Sequence, residues 1–181
     1  MLEYFKPTWM VKSIYSITPE QLRKNNIHAV LTDLDNTLIA WDHPEATEES
    51  VRWIEMMKEA DIPVVIISNN NGNRIEKVAE ILELDFVPMS LKPSRRAFRK
   101  AEKKLGIPAE NLVMVGDQIM TDILGSNRHG VRSILVKPIL DSDAWNTKFN
   151  RFIELKIMNK LIKSDPNMEW GDSLDEPIRE P

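Results

Sequence analysis

A short acidic motif follows an apolar stretch near residue 30 and offers a clear chemical signal. Residues 29–32 read Ala-Val-Leu-Thr, and the chain continues with Asp33, Leu34 and Asp35. In an extended chain alternate side chains lie on one face, so the two carboxylates can point into a common space where the strand ends. Hard divalent cations such as Mg²⁺ prefer oxygen ligands and leave coordination positions for phosphate oxygens. The motif therefore predicts a metal site that handles phosphate.

Three further apolar stretches end in groups that such a site needs. In chain order these groups are Ser68 with Asn69 and Asn70, then Lys92, and then Asp117 with Asp122. In open parallel sheets, ligands bind beyond the carboxyl ends of the strands. The four strand ends together therefore predict one site, with carboxylates for a metal ion and with a hydroxyl and an ammonium for a phosphate group.

In this order the four motifs resemble those of the haloacid dehalogenase (HAD) superfamily of phosphoaspartyl phosphatases, over residues 28–137. The segments Asp-Leu-Asp-Asn-Thr-Leu, Ile-Ser-Asn-Asn and Gly-Asp-Gln-Ile-Met-Thr-Asp-Ile are similar to those of the YqeG-type bacterial members, which lack a cap domain. YqeG-type proteins are in turn similar to the mitochondrial phosphatidylglycerophosphate phosphatases of eukaryotes. The resemblance implies a phosphatase and, with it, a role for each motif residue.

The catalytic roles implied by the resemblance belong to four residues. Asp33 is the implied nucleophile, which forms an acyl phosphate with the transferred group. Asp35 is the implied general acid and base. Ser68 and Lys92 hold the oxygens of the phosphoryl group while it is transferred. An Asp rather than a Thr at position 35 favours a phosphatase that turns over rather than an ion pump, which holds the intermediate longer.

The resemblance also implies residues that bind substrate and metal. Thr37, Asn69 and Asn70 are the expected substrate-binding residues. Mg²⁺ is the expected cofactor, and its expected ligands are Asp33, Asp35, Asp117 and Asp122.

Each motif taken alone has an ordinary structural explanation. An Asp-x-Asp motif at a strand end is common turn chemistry, because Asp and Asn bond to their own backbone. Ser68 could cap a helix, and Lys92 could be a solvated loop residue. The occurrence of all four motifs in the order of one site favours the functional interpretation.

The segments that must position these groups alternate between strand and helix. Hydrophobic spacing predicts strands at 28–33, 63–68, 85–88, 111–115 and 132–136, separated by helices. Such alternation predicts an α/β fold with a three-layer, doubly wound, Rossmann-like and mainly parallel sheet. The 35 positions from Asp33 to Ser68 and the 24 from Ser68 to Lys92 are close to the ~30 residues of one βαβ unit. We therefore expect a HAD core without a cap domain.

Composition is consistent with one globular domain. The chain has 181 residues, of which 42% are hydrophobic and 29% charged, so we expect a single domain over 1–163 with its catalytic core at 28–137. Zero cysteines exclude disulfides, thiolate metal sites and cysteine nucleophiles. No apolar run approaches the roughly 20 residues of a membrane span. We expect a cytoplasmic protein, with peripheral contact at the inner face of the membrane as one option.

The two C-terminal segments differ sharply in charge. Residues 144–163 form a candidate amphipathic helix with five basic side chains against one acid, which could lie on an anionic lipid surface or pack on the sheet. Residues 164–181 hold six acids against one Arg, and we expect an acidic and largely disordered tail. The weak charge of the remainder argues against a dedicated nucleic-acid-binding face.

The expected open site bears on the substrate. Without a cap, the site suits a phosphomonoester on a bulky group, and the resemblance favours phosphatidylglycerophosphate at the membrane surface. The alternatives are a phosphatase of a protein, nucleotide or sugar phosphate. From a different class, a HAD-fold binding module could dock a GTPase or ribosome factor, although every catalytic position is present.

Overall fold

Six parallel strands form the centre of the computed structural model, which describes residues 2–43, 45–70, 72–140, 148–175 and 178. The strands are Trp9–Val11 (β1), Ala29–Thr32 (β2), Val64–Ile67 (β3), Asp85–Val87 (β4), Leu112–Gly116 (β5) and Arg132–Val136 (β6). Their order is β1-β6-β5-β2-β3-β4, and every neighbouring pair is parallel. The prediction of a parallel α/β sheet is confirmed, and β1 adds a sixth strand that the sequence did not predict.

Five helices connect the described strands: Pro19–Lys24 (α1), Glu48–Glu59 (α2), Asn73–Leu82 (α3), Arg95–Leu105 (α4) and Leu124–His129 (α5). A sixth helix, Lys148–Ser164 (α6), follows β6. A π-helical turn at Ile119–Ile123 precedes α5. Helices α1 and α2 begin at capping boxes, in which Thr18 and Thr47 accept hydrogen bonds from the third helical N–H. These local signals determine where both helices begin.

Alternate strand residues build a separate hydrophobic core on each face of the sheet. Val30 faces one side, where the core includes Trp53 and Met57 of α2. Leu31 faces the other side, where Phe98 of α4 is fully buried. The sheet is therefore the middle of three layers, as the alternation of strands and helices predicts.

The carboxyl edge of the sheet carries no inserted domain among the described residues. One helix, α2, lies between β2 and β3, and one helix, α3, lies between β3 and β4. None of the described helices combines the length and apolar character that crossing a bilayer requires.

The flanking segments of the chain cover one end of the sheet. Trp9 of β1 is buried in the core rather than exposed. In α6, Leu161 is buried against Met10, whereas Phe152 and Leu155 are exposed. Thus α6 packs by one face and presents apolar side chains on another. Trp145 and the side chain of Phe149, which the sequence places in the same amphipathic helix, lie outside the described residues.

The described part of the acidic tail, 165–175, packs on the domain, in contrast to the expectation of disorder. Met168 and Leu174 are buried. The N–H of Gly171 donates to the Met10 carbonyl at 2.9 Å, and the N–H of Lys12 donates to the Gly171 carbonyl at 3.1 Å. Net charge alone predicts disorder here, but a few spaced apolar side chains find buried positions and order the backbone between them.

Replacing Leu174 tests whether the tail packs in solution. Leu174→Ala removes a buried side chain and should lower the free energy of unfolding by about 2–5 kcal/mol, measured by urea denaturation. The control Ile81→Ala alters an exposed side chain of α3 and should change stability by less than about 0.5 kcal/mol. Equal stability of the two variants would show that the tail does not pack on the core.

Candidate active site at the carboxyl edge of the sheet

Asp33 lies where β2 leaves the sheet. Its N–H donates to the Val115 carbonyl at 2.9 Å, so the residue is tied to the end of β5 as well. The side chain is buried, and one carboxylate oxygen accepts a hydrogen bond from the Lys92 Nζ atom at 2.9 Å. The first carboxylate of the acidic motif is thus held between the two central strands.

Lys92 brings an ammonium group into the centre of this edge. Its Nζ atom lies 2.9 Å from Asp33 Oδ1, 2.7 Å from Asp122 Oδ1 and 2.7 Å from the Ile67 carbonyl oxygen. An ammonium group has three hydrogens to donate, and three acceptors surround it. The Lys92 side chain is therefore fixed in place and almost wholly buried.

The fourth motif contributes two further carboxylates. Asp122 is fully buried on the π-helical turn, and its Oδ2 atom accepts a hydrogen bond from the Gln118 N–H at 3.1 Å. Asp117 is also buried and accepts from the Thr37 hydroxyl at 3.2 Å. One oxygen each from Asp33, Asp117 and Asp122 lie within 4.8 Å of one another. These three residues can hold a metal ion, and Thr37 positions one of them.

Gly116, at the end of β5, makes room for this arrangement. A Cβ atom at residue 116 would lie 2.2 Å from Asp122 Oδ2, a distance that forces the carboxylate to move. The glycine immediately before Asp117 is therefore a steric requirement of the site.

The cluster of Asp33, Lys92, Asp117 and Asp122 has more negative than positive groups. Burial is the largest cause and raises the pKa of Asp33. The Lys92 ammonium lowers this pKa, the carboxylates of Asp122 and Asp117 raise it, and the resulting pKa is about 8. Burial would lower the pKa of Lys92, but the carboxylates of Asp122 and Asp33 raise it above its ordinary value. A single ammonium among three buried carboxylates leaves the cluster short of positive charge, which a bound cation would supply.

The carboxylate of Asp35 lies outside the group of three, although the sequence placed this residue among the metal ligands. Asp35 Oδ1 accepts from Arg74 Nε at 3.0 Å, and Oδ2 accepts from the Asn70 side-chain amide. Arg74 also donates to the Ala40 carbonyl at 2.8 Å. Arg74 therefore ties Asp35 to the loop that follows the acidic motif.

Sequence reasoning missed Arg74. Its contact with Asp35 spans 39 positions of the chain, so local pattern does not show it. One signal was available: Arg74 lies in the first turn of α3, where the helix dipole favours acidic rather than basic side chains.

The two asparagines after β3 hold the surrounding loops. Asn69 Oδ1 accepts from the Lys92 N–H at 2.7 Å, and Asn69 Nδ2 donates to the Lys92 carbonyl at 3.0 Å. The N–H of Asn70 donates to the buried Ser68 hydroxyl at 3.2 Å. In this structure both amide side chains bond to protein groups, and their part in substrate binding stays a prediction.

Comparison with known proteins identifies the family of this chain. A family model described as haloacid dehalogenase-like hydrolase matches residues 4–130. The chain belongs to this family. It is 42% identical over 170 residues to the probable phosphatase YqeG of Bacillus subtilis, an alignment that covers 94% of this chain and 98% of that protein. This HAD-family chain is thus a phosphatase, as the motifs predict.

Two other relatives of this HAD phosphatase are informative. The chain is 30% identical over 173 residues to a chloroplastic and mitochondrial phosphatidylglycerophosphate phosphatase 1 of Arabidopsis thaliana, covering 89% of this chain but about half (49%) of that protein. A cobalt-bound deoxy-D-mannose-octulosonate 8-phosphate phosphatase of Haemophilus influenzae shares the fold. Its TM-score is 0.54 at 18% identity, covering 80% of this chain and 93% of that chain.

Adding one methyl group at residue 116 tests the steric role of the glycine. Gly116→Ala should displace Asp122 from Lys92 and lower kcat by about 100-fold, measured by hydrolysis of p-nitrophenyl phosphate. The control Gly171→Ala introduces a Cβ only at ordinary contact distance, 3.5 Å from the Ser173 carbonyl oxygen, and should retain activity. Full activity of Gly116→Ala would contradict the geometry described for Asp122.

Proposed function

We propose that this chain is a Mg²⁺-dependent phosphomonoesterase that forms a phosphoaspartyl intermediate on Asp33. The main observation behind this proposal is the buried cluster at the carboxyl edge. In it Lys92 contacts Asp33 and Asp122, and one oxygen each of Asp33, Asp117 and Asp122 lie within 4.8 Å of one another. A nucleophile, a fixed ammonium and a set of oxygen ligands are the parts that phosphoryl transfer needs.

The residues of the cluster fit a hard divalent cation. Their donor atoms are carboxylate oxygens within 4.8 Å of one another, and their excess negative charge favours a cation. Mg²⁺ would be held by Asp33, Asp117 and Asp122, and when bound it would neutralise phosphate charge and orient the ester.

Two carboxylates carry the covalent chemistry. An oxygen of Asp33 bonds to phosphorus as the bond from phosphorus to the leaving alkoxide breaks, which gives an acyl phosphate. Asp35 donates a proton to that alkoxide and then accepts a proton from the water that cleaves the acyl phosphate, releasing inorganic phosphate. Arg74 and Asn70 position the Asp35 carboxylate through the hydrogen bonds described above.

The remaining motif residues stabilise the phosphoryl group. The Lys92 ammonium is held by its three acceptors, so its positive charge has a fixed position beside Asp33, where it attracts the phosphoryl oxygens. The Ser68 hydroxyl, buried at the end of β3, adds a hydrogen bond to the same group. Such preorganised charge is worth most in a site from which water is excluded.

For the substrate we propose phosphatidylglycerophosphate, presented at the inner face of a membrane. Two observations support this choice: the similarity to the Arabidopsis phosphatidylglycerophosphate phosphatase over 89% of this chain, and a carboxyl edge that no inserted domain covers among the described residues. An open edge admits a phosphate group attached to a large lipid.

Removing the ammonium or the metal tests the catalytic proposal. Lys92→Ala should lower kcat by about 10²–10³-fold, and chelation by EDTA should abolish hydrolysis of p-nitrophenyl phosphate until Mg²⁺ is restored. The control Lys104→Ala alters an exposed lysine of α4 that pairs with Asp85 and should leave kcat unchanged. Undiminished activity of Lys92→Ala, or of the wild type in EDTA, would contradict the mechanism.

A comparison of substrates tests the lipid assignment separately. In mixed micelles with Mg²⁺, phosphate release from phosphatidylglycerophosphate should exceed that from sugar phosphates and nucleotides by about tenfold or more in kcat/KM. The reason is that an uncovered edge makes few contacts with a small soluble ester. Equal or faster release from the soluble esters would remove the lipid substrate and leave the phosphatase assignment standing.

A further inference from the structure

Two large apolar side chains are exposed beside the ammonium of the active site. Met89 and Leu91 are 64% and 62% exposed, and they alternate with Ser90 and Lys92, which are 3% and 5% exposed. The loop of residues 89–92 thus points Lys92 inward to the carboxylates and points two apolar side chains outward into solvent.

Hydrogen bonds to the neighbouring loop fix this arrangement. The Ser90 N–H donates to the Ser68 carbonyl at 3.0 Å, and the Met89 N–H donates to the Asn70 carbonyl at 3.3 Å. Met89 and Leu91 have φ values of 48° and 53°, a left-handed conformation that is uncommon for bulky residues. The loop therefore adopts a strained backbone that leaves two large side chains mostly exposed. Such a departure from local preference marks a functional position.

The adjoining helix adds positive charge. Residues 89–100 contain five basic side chains and no acid, and all except Lys92 are exposed: Arg95, Arg96, Arg99 and Lys100. The Ser94 N–H donates to the Leu91 carbonyl at 2.8 Å, which holds the apolar loop against the start of α4. Arg95 and Arg96 occupy the first turn, where basic side chains oppose the helix dipole. The positions of Arg95 and Arg96 therefore do not stabilise the helix through its dipole.

We propose that Met89, Leu91, Arg95 and Arg96 form a docking rim that seats the active site on an anionic lipid bilayer. The apolar side chains enter the interfacial region of the bilayer, and the guanidinium groups contact lipid phosphates. This proposal rests on the proposed phosphatase function and deepens it, because it explains how a phosphomonoester embedded in a membrane reaches Asp33.

The chemistry of the rim favours a bilayer over a protein partner. A stable protein interface buries about 800 Å² on each side, whereas the rim consists of two protruding apolar side chains and a few cations. Apolar side chains flanked by cations match the layered chemistry of an anionic membrane, in which acyl chains lie beneath phosphate groups.

Sedimentation with lipid vesicles tests the proposal. The wild-type protein should bind vesicles of phosphatidylcholine and phosphatidylglycerol more tightly than vesicles of phosphatidylcholine alone. Met89→Ser with Leu91→Ser should weaken binding to the anionic vesicles by about tenfold or more. Arg95→Gln with Arg96→Gln should weaken it as well, and this second variant keeps the test decisive if the first disturbs the Lys92 loop. The control Ile81→Ser changes an exposed apolar side chain of α3 and should bind like the wild type.

Several results would overturn the docking rim. The proposal is contradicted if the rim variants bind vesicles as tightly as the wild type. It is also contradicted if binding is lost only in the variant Phe152→Ser with Leu155→Ser on α6. A wild-type protein that hydrolyses p-nitrophenyl phosphate but ignores anionic vesicles refutes the rim and leaves the phosphatase proposal intact. A wild-type protein that binds the vesicles but hydrolyses no phosphomonoester refutes the phosphatase proposal instead.

Discussion

The contact of the Lys92 ammonium with two buried carboxylates is the interaction around which the carboxyl edge is organised. Charged groups can be buried only when they are paired and hydrogen-bonded. Lys92 meets this condition through Asp33, Asp122 and the Ile67 carbonyl. These partners belong to separate segments of the chain, and the parallel sheet brings them together because its strands end at one edge. The topology and the chemistry of the site therefore depend on each other.

The same contact explains several features that would otherwise be unrelated. Asn69 bonds to both backbone polar groups of Lys92, and Gly116 leaves space for Asp122. Burial is the main cause of the raised pKa of Asp33, the carboxylates of Asp122 and Asp117 add to it, and this pKa reflects the cost of holding these groups out of water. The hydrophobic cores on the two faces of the sheet offset that cost. The site thus holds negatively charged groups close together at the place where a cation and a phosphate group would bind.

Local sequence signals predicted five of the six described strands and indicated that the residues of the central cluster lie at one edge of the sheet. Asp33, Lys92 and Asp117 each follow an apolar run, and parallel strands carry such positions to one edge by geometry alone. Strand β1 was not predicted because it lies in the flanking segment ahead of the motifs and of the alternating strands and helices that identified the other five. The contact of Arg74 with Asp35 was missed because it joins positions 39 residues apart. The packing of the tail was missed because the net charge of a segment does not show which of its side chains are buried. Two apolar side chains of the tail, Met168 and Leu174, are buried.

The position of that tail has a consequence for the behaviour of the folded chain among its own copies. An outermost strand presents unsatisfied backbone groups to which a strand of another molecule can add, a common start of ordered aggregation. Strand β1 is outermost, yet on its outer side the Met10 carbonyl and the Lys12 N–H are already bonded to Gly171. The described segment around Gly171 thus covers the outer side of β1 and occupies backbone groups to which a strand of another molecule could otherwise add.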